Sequence, residues 1–178
     1  MMGVGDVVRL EIGPGYAKGK NEGNEGYRFN PHFHPKDPDV VYLDIRRPEF
    51  RCGIPWIVAD AHNLPLRDGV ADEIFAGHVI EHLEDPLKFL GECRRVLKKG
   101  SMVTVVTPNF LSRNAYLDPT HKHIFNFVKV WRLVGAAGLK PHLPNPNIGN
   151  LIPWGIRILF KLFLAFLSDS IIVIGEKI

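Results

Sequence analysis

The sequence predicts an α/β fold in which a doubly wound, mostly parallel sheet forms a single domain spanning residues 1–178. Short apolar runs rich in β-branched residues alternate with segments of helical period, which is typical of parallel sheets covered by helices. Several of these runs end at glycine or aspartate, where strands of such sheets meet a ligand-binding edge. A length of 178 residues suits one domain with a sizeable core.

The strands are predicted from short apolar runs bounded by glycine, proline or aspartate. The first run is closed by a Gly-Pro-Gly turn, and the second and third each end at an aspartate. The predicted strands lie at residues 7–12, 40–43, 55–59, 72–77, 102–106 and 171–174.

The clearest helix follows the fourth of these strands. Asp85 is a good N-cap, and Pro86 suits the first helical position because its missing N–H needs no partner there. Apolar residues then recur at helical spacing. We expect the lysine pair 98–99 in the last turn and Gly100 as the residue that stops the helix.

The second half of the chain is assigned less completely. A helix is predicted at about 126–137, with Gly138 as its stop, and another at 151–167. The stretch 139–150 holds several prolines and has no assignment, so 139–168 is treated as a variable acceptor or lid region. Residues 16–38 form a long polar loop, and loops of this length inside a compact domain are often functional.

Composition narrows the class of protein. The net charge is +3 without a long basic run, so nucleic acid is not indicated as a partner. The two cysteines, Cys52 and Cys93, form no CxxC motif, which favours reduced thiols and a cytoplasmic location.

The residues that follow the strands are the candidates for function. Gly13-Pro14-Gly15, Asp44, Asp60 and His78 each come directly after a predicted strand, so a parallel sheet gathers them along one edge. The glycine turn lets the backbone approach a ligand closely. A third glycine and a following helix, which a pyrophosphate-binding dinucleotide site needs, are not evident.

A continuous block over residues 60–109 carries the most specific pattern. This block resembles the class I S-adenosylmethionine-dependent methyltransferases, especially the type 11 family, in a short variant whose polar loop replaces the helix after the glycine turn. The resemblance implies a Rossmann-like fold, and it covers roughly residues 7–138. Its motifs are Asp60-Ala61, Leu64-Pro65, Asp72, His78, Glu81-His82 and Arg95-Val96-Leu97-Lys98-Lys99-Gly100.

The resemblance implies methyl transfer to an unidentified acceptor, with S-adenosyl-L-methionine as the cofactor. Carried over by position, each motif takes a part of that molecule. The implied cofactor-binding residues are Glu11, Gly13, Pro14 and Gly15 at the methionine and ribose, Asp44 at the ribose hydroxyls, Asp60 and Ala61 at the adenine, and His78 and Val79 near the sulfonium and its carboxylate.

Histidines near this edge are the candidate catalytic bases, because imidazole exchanges protons near neutral pH. His78 is the best placed by spacing, and His121 and His123 follow the fifth predicted strand. Two alternatives stay open. One is a protein that binds the cofactor without transferring the methyl group. The other is a metal hydrolase assembled from His32 and His34, His121 and His123, and the Glu81-His82 pair; the favoured interpretation contains no metal site.

The predicted helix at 151–167 is apolar nearly all round and carries only Arg157 and Lys161 as charges. Such a helix is most often buried in a core or a dimer contact, although a basic stripe also suits a membrane surface. We hypothesise that it covers the acceptor pocket and favours a small apolar or lipid-like acceptor. The oligomeric state is not readable from the sequence.

Overall fold

A computed structural model describes residues 7–14, 40–46, 55–144 and 168–178. The predicted polar loop at 16–38 and the predicted helix at 151–167 lie outside the described residues. The described residues contain one sheet and the helices that connect its strands. The strands are β1 Arg9–Ile12, β2 Val40–Asp44, β3 Trp56–Val58, β4 Ala71–Gly77, β5 Leu97–Pro108, β6 Lys140–His142 and β7 Ser170–Glu176, and the helices are α1 Pro86–Val96, α2 Asn114–Leu117 and α3 Phe127–Ala136.

The sheet is mostly parallel, which confirms the predicted fold class. Its seven strands run in the order β3-β2-β1-β4-β5-β7-β6. The first five strands of the chain pair in parallel with one another, whereas β7 is antiparallel to both β5 and β6. The parallel part of the sheet therefore has one carboxyl edge, formed by the ends of β1 to β5.

Alternation along the strands divides the buried residues between the two faces of the sheet. Leu10 and Ile12 belong to the larger apolar cluster, which also receives the apolar stripe of α1 and α3. Tyr42 and Phe75 form a smaller cluster with Val40. Because successive side chains of a strand point to opposite faces, residue 11 lies on the face of the smaller cluster.

The end of α1 differs from the prediction. The helix stops at Val96, and the next residue already pairs with Ala71 as the start of β5. Lys98 therefore lies in a strand, where its ammonium is 2.7 Å from a carboxylate oxygen of Asp72. Gly100 adopts a positive φ of 79° within β5 and does not stop the helix. Pairing with the neighbouring strand overrides the helical propensity of this segment.

The predicted N-terminal cap of α1 agrees with the structure. The Asp85 side chain accepts a hydrogen bond from the Lys88 amide at 2.9 Å, and Pro86 is the first residue of α1. The Asn126 side chain caps α3 in the same way, through the Lys129 amide.

The sequence analysis missed two short elements. One is the helix α2, and the other is the strand β6, which lies in the proline-rich stretch that had no assignment. In the described part of the chain, no helix combines the length and apolar character needed to cross a membrane.

Candidate functional site

The ends of four adjacent strands bring most of the predicted site residues to the carboxyl edge. The Gly13 amide donates to the Leu43 carbonyl at 2.7 Å, and the Ala59 amide donates to the Asp44 carbonyl at 2.9 Å. β1, β2 and β3 therefore end level with one another. His78 follows β4 on the other side of β1, and its amide is bonded to the last part of β5. Gly15 lies outside the described residues.

Gly13 occupies a position that no other residue fits without strain. Its φ is +66°, in the left-handed region that favours glycine. A Cβ atom added there would lie 2.6 Å from a methyl carbon of Val79, which is a severe overlap. The turn after β1 therefore packs directly against the loop after β4, and the two segments form one continuous surface.

Glu11 is a buried carboxylate near this turn. It lies one residue before the end of β1, opposite Tyr42 on one side and Phe75 on the other, and is 2% exposed. Its Oε2 atom has no hydrogen-bond partner in the described part of the chain. Burial raises the pKa of this carboxyl from 4.5 to about 7, because the charged form loses its hydration. An orphaned buried oxygen of this kind calls for a donor or a cation from outside the described residues.

Asp44 and Asp60 follow the neighbouring strands. Asp44 is half-buried, and its Oδ1 accepts the Arg46 amide at 3.0 Å. Asp60 is exposed, and its Oδ1 accepts both the amide and the ring Nδ1 of His62 at 2.8 and 2.7 Å. These hydrogen bonds hold the pKa of Asp60 below its usual range, so this carboxylate stays charged at neutral pH. Both contacts fall on Oδ1, so the acceptor capacity of Oδ2 is available to a ligand.

His62 is a site residue that the sequence analysis missed. Because its Nδ1 donates to Asp60, its Nε2 is the nitrogen that accepts the Asp85 amide, at 3.2 Å. The ring thus bridges the loop after β3 and the N-terminus of α1. The available signal was the Asp-x-His spacing, since an aspartate commonly accepts the amide two residues ahead.

His78 is held by a buried carboxylate. Its Nδ1 lies 3.1 Å from Oε1 of Glu81, and Oε2 of Glu81 accepts the Thr107 hydroxyl at 3.0 Å. Glu81 and Thr107 are 1% and 0% exposed, whereas half of the His78 side chain is exposed. His78 has a positive φ of 56°, the one non-glycine residue in this state within the described ranges. Such strained positions concentrate at functional sites.

The other two candidate bases lie in the loop after α2. The Lys122 and His123 amides both donate to the Glu81 carbonyl, at 2.7 and 3.2 Å, so this loop is tied to the loop after β4. His121 packs edge to face on His82, with the ring centroids 4.8 Å apart. The His123 ring instead donates from Nε2 to the Leu83 carbonyl at 3.0 Å. His121 therefore lies beside the Glu81-His82 pair. His123 does not, because its Nε2 is bonded to the Leu83 carbonyl.

Comparison with known proteins finds similarity to methyltransferases over part of the chain. Residues 33–105 match the profile of a family described as a methyltransferase domain. A probable S-adenosylmethionine-dependent methyltransferase of Mycolicibacterium smegmatis is 37% identical over 81 residues, which are 43% of this chain and 32% of that protein. A demethylmenaquinone methyltransferase of Thermotoga maritima is 40% identical over 68 residues, which are 38% of this chain and 29% of that protein. The chain spans about a third of the length of these curated relatives.

Solved structures agree on the fold. A SAM dependent methyltransferase from Archaeoglobus fulgidus superposes with a TM-score of 0.63 at 21% identity, over 97% of this chain and 87% of that one. The fold is thus that of the class I S-adenosylmethionine-dependent methyltransferases, and the resemblance inferred from the sequence is confirmed.

Proposed function

We propose that the protein is an S-adenosylmethionine-dependent methyltransferase whose cofactor lies across the carboxyl edge of β1 to β4. The observation that carries this proposal is the orphaned oxygen of Glu11 beside the Gly13 turn. The methionine part of the cofactor bears an ammonium group, which is the kind of donor that a buried, unpaired carboxylate needs. The absence of a side chain at Gly13 leaves the backbone open to close approach.

The remaining contacts follow the order of the strands. Asp44 is proposed to accept the vicinal ribose hydroxyls, and Asp60 with the amide of Ala61 to hold the adenine. Val79 packs against Gly13, so we place it and His78 beside the sulfonium end. Pro14 and Gly15 complete the turn in this proposal.

When bound, the cofactor supplies a methyl group on a positively charged sulfur, ready for displacement. The protein then has to position the nucleophile and remove its proton. Glu81 accepts the Nδ1 proton of His78, which leaves Nε2 as the proton acceptor. Thr107 holds the far oxygen of Glu81, so the carboxylate keeps the ring in one orientation. His121 and His123 stay in the proposal as alternative bases from the loop after α2.

The acceptor is proposed to be a small apolar or lipid-like molecule. The segment that follows the carboxyl end of β5 exposes a group of large apolar side chains near the edge, and exposed patches of this kind commonly mark binding surfaces. These residues are Phe110, Leu111, Tyr116 and Leu117, with exposed fractions from 38% to 61%. In this proposal, residues 151–167 cover the acceptor pocket and can contact a membrane surface. The protein is proposed to be cytoplasmic.

Calorimetry with S-adenosylmethionine and S-adenosylhomocysteine tests the cofactor site. We expect micromolar binding by the wild type and a loss of at least about tenfold in each of Asp44→Ala and Asp60→Ala, since each removes charge-assisted hydrogen bonds. Asp68→Ala is the matched control, because Asp68 is an exposed aspartate of the same connection that pairs with Arg95 just before the amino end of β4, away from the carboxyl edge. Equal affinity in all four proteins would refute the proposed site.

A further inference from the structure

We propose that Glu81, His82 and His121 form a binding site for one divalent transition-metal ion of the zinc class, which goes beyond the methyltransferase function. One ligand atom from each residue can be chosen so that all three lie within 4.8 Å of one another. Two imidazoles and a carboxylate are the ligand types that such ions take in proteins.

The tautomers of both histidines leave the same nitrogen open. His121 Nδ1 faces the Ala115 carbonyl at 3.1 Å, and a carbonyl only accepts, so this nitrogen carries the proton. The Thr120 hydroxyl gives its single proton to Asp118 at 2.6 Å, so its oxygen accepts from His82 Nδ1 at 3.0 Å. Each ring therefore presents the bare lone pair of Nε2.

These outer contacts are the ones that metal-binding histidines use. A ligating imidazole almost always donates its other N–H to a carbonyl, a carboxylate or another fixed acceptor, which sets its orientation before the ion arrives. Here two separate acceptors, the Ala115 carbonyl and the Thr120 hydroxyl, perform this for His121 and His82. The loop that carries His121 is also fixed to the Glu81 carbonyl through the Lys122 amide.

The charge around Glu81 supplies an independent reason for a cation. Its carboxylate is 1% exposed, and its hydrogen bonds come from a hydroxyl and an imidazole. No lysine or arginine within the described ranges forms an ion pair with it. Buried carboxylates are normally paired with a cation or coordinate a metal. The ammonium of Lys122, in the adjoining loop, pairs with Glu84 instead. Asp118 adds a further acidic group 4.0 Å from His121 Nε2.

The three side chains are expected to hold the ion in tetrahedral coordination. Tetrahedral zinc with bonds of about 2.0–2.1 Å holds its ligand atoms roughly 3.3 Å apart, so the side chains need to close by about 1 Å or more on binding. Three protein ligands leave a fourth position for water or an oxygen of a bound molecule. The ion would tie the loop after α2 to the loop after β4, next to His78.

Cobalt titration of chelator-stripped full-length protein tests the site, because tetrahedral Co²⁺ gives characteristic visible absorption. We expect one equivalent of Co²⁺ that Zn²⁺ displaces, at a pH above the ordinary histidine pKa of about 6.5. His82→Gln and His121→Gln should each weaken Zn²⁺ binding by at least about 100-fold, since loss of an outer contact alone costs 10–100-fold. His123→Gln is the matched control in the same loop and should bind as the wild type does.

The experiment measures metal binding and not methyl transfer, so a failure to bind metal leaves the cofactor proposal intact. Thermal melts in chelator check that each variant folds, and either histidine variant alone suffices if the other unfolds. Binding that survives in His82→Gln and His121→Gln, or that disappears only when His32 and His34 are both replaced by Gln, would overturn the proposal. So would the absence of a tetrahedral Co²⁺ spectrum.

Discussion

Replacing Glu11 by glutamine should change the pH dependence of stability in a defined direction. Burial raises the pKa of this carboxyl from 4.5 to about 7, so the folded protein favours the protonated form. Its contribution to stability is then fully present below pH 4.5 and is lost as the pH rises through 7. Glutamine has the same shape and no charge, so the variant escapes this loss.

The magnitude follows from the size of the shift. A difference of about 2.5 pH units corresponds to about 3.5 kcal/mol, at about 1.4 kcal/mol per unit. Urea unfolding of wild type and Glu11→Gln across pH 4 to 8 should therefore show the variant gaining up to about 3.5 kcal/mol relative to the wild type and levelling off above pH 7. Glu92→Gln is the opposite-sign control, because a hydrogen bond from Arg95 lowers the pKa of Glu92.

The same carboxyl links stability to the proposed cofactor. If Glu11 accepts the ammonium of S-adenosylmethionine, binding lowers its pKa and releases about half a proton at pH 7, since a group is half protonated at its pKa. Calorimetry in two buffers of different ionisation enthalpy measures this release, and Glu11→Gln supplies the baseline. A stability difference that stays flat between pH 5 and 8 would refute the reasoning about burial, and equal proton release in both proteins would refute the ammonium contact.

Three further substitutions probe the site by unfolding experiments. Gly13→Ala should lower the free energy of unfolding by about 2–4 kcal/mol and weaken cofactor binding, because the positive φ strains an alanine and its Cβ would lie 2.6 Å from a methyl carbon of Val79. Gly69→Ala is the control, because Gly69 has a similar φ but open space around it, and should lose only about 1 kcal/mol. Equal losses in the two variants would contradict the steric overlap at Gly13. Thr107→Val should destabilise by about 1–3 kcal/mol by leaving Oε2 of Glu81 without its donor, and an unchanged midpoint would show that the hydroxyl is dispensable. Asp85→Ala should cost about 1 kcal/mol through the lost cap of α1, and a neutral result would contradict the capping role.

The sheet, and the gathering of the candidate residues at its carboxyl edge, were predictable because local patterns and topology pointed the same way. Apolar runs of strand length were followed at once by the candidate residues, such as Asp44 and Asp60. A parallel arrangement then brings strand ends together whatever the order of the strands. The cap at Asp85 was predictable for the same reason, since a cap depends only on residues within one turn.

The errors fall where distant residues decide the outcome. Lys98 and Lys99 have good helical propensity, but they lie in a strand because this segment pairs with β4. Lys98 binds Asp72, which is 26 residues earlier in the sequence. The cluster of Glu81 with His121 depends on the path of the loop after α2, which no periodic pattern records. The loop pairs two amides with one carbonyl, and such backbone contacts carry no sequence signal.

The position of β7 has a consequence for how the chain is made. This strand follows β6 in the sequence, yet it lies between β5 and β6 and pairs with both. Until residues 170–176 have left the ribosome, the edge of β5 from Met102 to Pro108 has unpaired backbone N–H and C=O groups, which are a template for unwanted intermolecular pairing. We expect nascent chains stalled before that point to depend on chaperones, and released chains to resist proteolysis.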